Sequence, residues 1–214
     1  MLIVGAGGFA KEILETFHAK KETKNLVFFD ETITSNDKLF GLFNILKTEE
    51  EVSQYFNHYG NQFTIGIGNP MLRYNMINRF TRLGGELKTT ISPSAEIGSY
   101  DVKIGDGCNI LQKAILSNSC QIGIGCIVYY NAVITHDCQI GNFVEISPSA
   151  NILGKVTIGD FSRVGANATI LPKITIGKNV TIAAGAVVTT DVPDNTMVAG
   201  VPAIIKKQLD PINI

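Results

Sequence analysis

The chain has 214 residues, of which 45% are hydrophobic; 21 are glycine and none is tryptophan, a mixture suited to many short strands and tight turns rather than a helical bundle. A formal net charge of -1, with 17% charged residues, gives no electrostatic reason to expect nucleic acid or an anionic membrane as partner. No apolar run approaches the roughly 20 residues of a transmembrane helix. The opening "MLIVGAGGFAKE" has no basic segment before its apolar residues, and glycines interrupt them. It reads as a first strand rather than a signal peptide, so the cytoplasm, with reduced cysteines, is the expected location.

Residues 1–88 read as a small Rossmann-like α/β unit with a parallel sheet. "LIVGAGGFAKEILETF" is a buried strand, a glycine turn and an amphipathic helix carrying Phe9, Ile13, Leu14 and Phe17. "LVFFDE" is a second strand ending in Asp30 and Glu31, and "FTIGIGNPMLRYNMINRF" repeats strand, turn and helix, with Gly66, Gly68 and Asn69 at the turn. The stretch from Glu31 to Tyr59 is less legible. Within it, Thr48 followed three residues later by Glu51 predicts a capped helix start. Ligands of such units bind at the carboxyl ends of the strands. The loop from Gly5 to Ala10 matches a dinucleotide fingerprint only if Ala10 serves as its last small residue. Unobstructed amides at a helix start nonetheless suit a phosphate. A tight turn without ligand is the alternative. Asp30 is placed to accept from a ribose hydroxyl or a base, or else is a solvated strand-end carboxylate.

Residues 89–214 follow a different rule. From Ile104 to Val188 an aliphatic residue recurs every six positions without a failure, and the residue four places after each is small or aliphatic, from Cys108 to Val192. Neither a helix nor an alternating strand selects a six-residue unit, whereas a parallel β-helix solenoid does. The pattern resembles the left-handed β-helix of hexapeptide acyltransferases, in which three hexapeptides make one triangular coil. Ile104 to Pro193 then form five coils of eighteen residues, with a one-residue slip in "GSYDVK" before them. Cys108, Cys120, Cys126 and Cys138 all occupy the small-residue slot. They are expected to point inward as core residues; their spacing contains no CxxC pair, and no metal site is expected.

Of three histidines, His136 alone lies inside the repeat, in "VITHDCQIGNF" beside Asp137. One coil away on either side stand Asn118 and Gly154, and two coils on stands Pro172, so the repeat itself does not call for histidine there. Neutral imidazole suits removal of a proton near pH 7, and Asp137 is able to orient it. Neighbours along a regular strand face opposite ways, so their contact requires the chain to turn here.

Taken together, "GAGGFAKE", "FFDE", "GIGNPMLR", "THDCQIGNF" and "VAGVPA" resemble the sialic acid acetyltransferase family and its sugar O- and N-acyltransferase relatives, among them bacterial enzymes that acetylate UDP-4-amino-sugars and GDP-perosamine. The resemblance implies that Gly7, Gly8, Phe9, Asp30, Glu31 and Gly68 bind a nucleotide-sugar. Many relatives carry histidine at the position of Phe9. It further implies that His136 is the general base with Asp137 as partner, that Glu145, Ala166 and Ala184 lie along acetyl-CoA, and that "GVPA" (Gly200 to Ala203) borders the coenzyme or simply turns out of the last coil. Glu145 stands where a relative has a second histidine. The implied protein is a homotrimer that acetylates, with acetyl-CoA as co-substrate and backbone amides at the oxyanion, an amine on a nucleotide-linked sugar, a UDP-4-amino-4,6-dideoxy sugar being the expected acceptor in glycan-precursor synthesis. O-acetylation of a sialic acid or another sugar, and a non-catalytic trimeric sugar-nucleotide-binding subunit, are the alternatives.

Overall fold

A computed structural model describes residues 1–35 and 38–212. The chain divides into two compact units, Met1–Pro93 and Ser94–Ile214.

The first unit is an α/β sandwich. β1 (Leu2–Val4), β2 (Val27–Phe29), β3 (Ile45–Leu46), β4 (Gln62–Ile65) and β5 (Glu86–Leu87) form one parallel sheet in the order β3-β2-β1-β4-β5. β1 and β2 are buried on both faces, as parallel strands covered by helices must be. The less legible stretch supplies β3 and α2 (Glu49–Tyr59). Two residues are too few for an alternating pattern, so β3 leaves no trace in the sequence. The start of α2 is legible: the Thr48 side chain accepts from Glu51 N–H, and Glu51 reaches back to the Thr48 amide. α1 (Gly8–Ala19) follows β1 and α3 (Pro70–Arg82) follows β4. Asn69 caps α3 by accepting from Leu72 N–H at 3.1 Å, with Pro70 in the first turn, where its missing N–H costs nothing. The strand order reverses around β1, so the loops after β1 and β4 diverge and open a crevice at their carboxyl ends. Gly5 is obligatory there: its φ is +105°, and an added Cβ would lie 2.8 Å from the Gly66 carbonyl oxygen.

The second unit is the left-handed parallel β-helix of hexapeptide repeats. Two-residue strands recur every hexapeptide and stack in register with strands eighteen residues away, as Ile115↔Val133 and Val133↔Asn151 show. Three flat sheets result. One contains Val133–Ile134, one Gln139–Ile140 and one Glu145–Ile146. The aliphatic register from Ile110 to Val188 is buried, and the small slot packs inside it. All four cysteines are free and buried in that slot. Their thiols donate to carbonyls of the neighbouring coil, as in Cys126 to Gly141 at 3.0 Å and Cys120 to Thr135 at 2.9 Å. Ser162, the polar occupant of the slot, is satisfied by the Gly177 carbonyl and the Val180 amide.

Corners are turned by a left-handed residue. From Lys113 to Gly185 one residue in every six has positive φ, most of them not glycine. Left-handed backbone costs an L-residue about 1–2 kcal/mol. At each such corner the amide bonds a carbonyl of the preceding coil, as Phe143 does to Ile124 at 2.8 Å and Lys155 to His136 at 3.0 Å. The extra residue before Ile104 is absorbed in the bend between Glu96–Ile97 and Lys103–Ile104, where Asp101 is left-handed. The helix ends in an antiparallel hairpin, Thr196–Gly200 with Ala203–Gln208.

Candidate active site

In the first unit a pocket of about 450 Å³ opens at the carboxyl ends of β1, β2 and β4. It is lined by Gly7, Gly8, Phe9, Asp30, Glu31 and Gly68, and by an apolar wall of Phe29, Ile67, Leu72 and Met76. The structure therefore brings together all six residues expected at the nucleotide-sugar. Gly7 is the N-cap of α1 and makes no side-chain cap hydrogen bond, and a helix start of this kind suits an anion. A Cβ on Gly7, Gly8 or Gly68 would meet nothing within 4 Å. Sterically the fold does not ask for glycine at these three positions; a ligand approaching the backbone would.

Asp30 is largely committed. Its Oδ2 accepts from the Ala6 amide at 3.1 Å, and its Oδ1 accepts from the Thr32 amide at 3.0 Å and hydroxyl at 2.6 Å. Glu31 lines the pocket, but both its oxygens accept from Arg79 at 3.0 Å, and Arg79 also donates to Glu49 at 2.7 Å while lying over the Phe29 ring. The hydrogen bonds from Arg79 hold the Glu31 carboxyl below the usual glutamate range. Arg73, wholly buried, donates to the Gly68 carbonyl and pins that loop. Arg73, Arg79, Leu72 and Met76 escape sequence reasoning because a polar anchor and an apolar wall on one helix look like any amphipathic face. A second groove of about 580 Å³, beside Tyr55, His58 and Tyr59, includes no glycine among its lining residues.

In the second unit the chain does turn at the histidine. Asp137 is the left-handed corner residue, φ 61°, and this swings its carboxylate back beside the preceding side chain. His136 Nδ1 lies 2.8 Å from Asp137 Oδ2. A carboxylate only accepts, so it selects the tautomer with hydrogen on Nδ1 and leaves the Nε2 lone pair free. The two side chains are 61% and 45% exposed, so the imidazole is accessible from solvent.

Glu145 lies half-buried on the strand Glu145–Ile146, where Ser147 Oγ approaches its Oε1 at 3.5 Å. Ala166 and Ala184 occupy the corner that ends this face, one coil apart; Gly185 N–H donates to the Ala166 carbonyl at 2.8 Å, and Ala184 is exposed. His136 stands at the next corner, across the face of Val133–Ile134 and Asn151–Ile152. Within one chain, then, the residues expected at the coenzyme lie on one face and the edge that ends it, and the residues expected at the proton transfer lie on the next edge of the prism. Gly200 to Ala203 form the turn of the terminal hairpin. Among the described residues no cluster of His, Cys, Asp or Glu suited to a metal is present, and no helix is long and apolar enough to cross a membrane.

Fold and site together define a hexapeptide-repeat acyltransferase with an α/β front unit. Residues 1–80 match the PglD N-terminal domain, and residues 137–172 and 155–190 match the bacterial transferase hexapeptide (six repeats). The acetyltransferase domain of PglB from Neisseria gonorrhoeae is similar over 96% of this chain and 98% of its own, at 31% identity and a TM-score of 0.87. A perosamine N-acetyltransferase variant from Caulobacter crescentus, solved with CoA and GDP-perosamine, is similar over 97% and 96% of the two chains, at 27% identity and a TM-score of 0.90. WeeI from Acinetobacter baumannii matches over 96% and 98%, at 28% identity and a TM-score of 0.89. No curated protein sequence matches the chain. The chain belongs to the acetyl-CoA-dependent sugar N-acetyltransferase family.

Proposed function

We propose that this protein transfers the acetyl group of acetyl-CoA to the amine of a nucleotide-linked sugar, a UDP-linked 4-amino-4,6-dideoxy sugar being the expected acceptor. The observation that carries the reading is the His136–Asp137 pair, 2.8 Å apart on an exposed corner with Nε2 free. In the reaction the amine attacks the thioester carbonyl and forms the C–N bond, while Nε2 of His136 takes the proton the nitrogen must lose. Asp137 stabilises the resulting imidazolium. Backbone amides hold the oxyanion until the C–S bond breaks, and the imidazolium returns its proton to the departing thiolate. No metal enters these steps.

The pocket of the first unit supports a nucleotide-sugar, since open glycines at a bare helix start suit a diphosphate. Phe9, an apolar residue, stands among the residues that line that pocket. The prism supports a trimer with sites between subunits: Glu145 on one face, with Ala166 and Ala184 on the edge that ends it, would meet His136 on the edge of a second copy, with acetyl-CoA between them. Incubating purified protein with acetyl-CoA and a panel of nucleotide-linked amino and hydroxy sugars, with thiol release and product mass as readouts, tests the reading. An amide product with an amino-sugar nucleotide is expected. Acetylation of hydroxy sugars alone would replace it with O-acetyl transfer, and nucleotide-sugar binding without any thiol release would make the protein a binding subunit.

A further inference from the structure

We infer that Gly154 is a positioning residue for His136, and that its missing side chain is the berth in which the imidazole lies. The inference rests on the acetyl-transfer reading for its kinetic consequence but not for its geometry. A Cβ built on Gly154 would fall 2.6 Å from Cε1 and 2.7 Å from Nε2 of His136. The Cε1–Nε2 edge of the ring, which carries the proton-accepting nitrogen, therefore occupies the space that a side chain at Gly154 would fill.

The fold itself does not require glycine there. The φ of Gly154 is not positive, and the same slot holds Asn118, His136 and Pro172 in other coils. The backbone around Gly154 is held from both sides: its carbonyl accepts from Lys173 at 2.9 Å, Leu153 N–H donates to Ile170 at 3.1 Å, and Lys155 N–H to His136 at 3.0 Å. A side chain at this position thus meets a clamped backbone and a mostly exposed ring, so the ring gives way. Regaining an ordinary contact of 3.4 Å moves the imidazole by about 0.8 Å, enough to loosen its 2.8 Å bond to Asp137. A displacement of about 1 Å at reacting atoms costs on the order of 10²-fold in rate.

The test is Gly154→Ala, alone and combined with His136→Ala. Expected are an unchanged melting temperature, an unchanged KM for nucleotide-sugar, and a kcat lowered about 10–100-fold. In the free protein the ¹⁵N shifts of the His136 ring should leave the pattern of a single Nδ1–H tautomer. Adding Gly154→Ala to His136→Ala should lower neither kcat nor stability further. Wild-type kcat together with unchanged ring shifts would overturn the inference. So would an equal loss of stability in both backgrounds, which would make Gly154 a packing residue. If the wild-type protein transfers no acetyl group at all, the functional reading fails, while the ring shifts still decide whether Gly154 positions His136.

Discussion

Replacing His136 and Asp137 separately tests the proton-transfer step, because the two substitutions should differ by an amount the exposure of the pair dictates. His136→Ala removes the proton acceptor, and general-base catalysis is typically worth about 10²–10⁴-fold in kcat. The fold should be indifferent, since Asn118 and Gly154 fill the same slot in adjoining coils. Asp137→Asn keeps the left-handed corner, a conformation asparagine tolerates, so it perturbs the charge without straining the backbone. The 2.8 Å contact it weakens lies between side chains 61% and 45% exposed. Exposed pairs of this kind are worth about 0.2–1 kcal/mol, and 1 kcal/mol is about fivefold in rate. Asp137→Asn should therefore lower kcat by about fivefold or less. Steady-state kcat and KM, with calorimetric affinity for nucleotide-sugar, measure both variants; affinity should change little in either. Near-normal kcat in His136→Ala would refute the assignment of the base. An Asp137→Asn loss as large as that of His136→Ala would refute the exposure argument, since only a water-excluded carboxylate carries so much.

Gly7→Val should weaken nucleotide-sugar binding at least tenfold without lowering the melting temperature, because its Cβ enters open space; Gly66→Ala, whose Cβ would lie 2.7 Å from that of Ala10, should instead destabilise by about 1–3 kcal/mol. Calorimetry and thermal melts separate the two effects. The Glu31 carboxyl is held below its ordinary range by Arg79, so the stability from this pair is complete above that range and is lost as pH falls through the depressed folded value; Glu31→Gln should flatten the acid limb of melting temperature against pH. Cys138→Ala should leave kcat within several-fold, and none of the four buried thiols should react with a thiol reagent before unfolding. Sedimentation equilibrium should find a trimer at micromolar concentration, and a stable monomer would remove the intersubunit site.

Much of this molecule is legible without coordinates because its largest part is periodic. A β-helix buries one aliphatic and one small residue per hexapeptide, so Ile104 to Val192 carry the fold, its three-sided winding and the inward cysteines in one dimension. The front unit shows itself through glycines at strand ends and an apolar helix face, and Thr48 with Glu51 marks a helix start inside the least legible stretch. His136 and Asp137 stand out because the repeat has no need of them. Tertiary structure alone decided that these neighbours touch, since contact depends on Asp137 taking the left-handed corner, and corners are filled by lysine, serine and phenylalanine as readily as by glycine. It alone turned Glu31 toward Arg79, a residue 48 positions away. It alone set Gly154 beneath the imidazole: one glycine among 21 is unremarkable until stacking of the next coil brings its bare backbone against the ring.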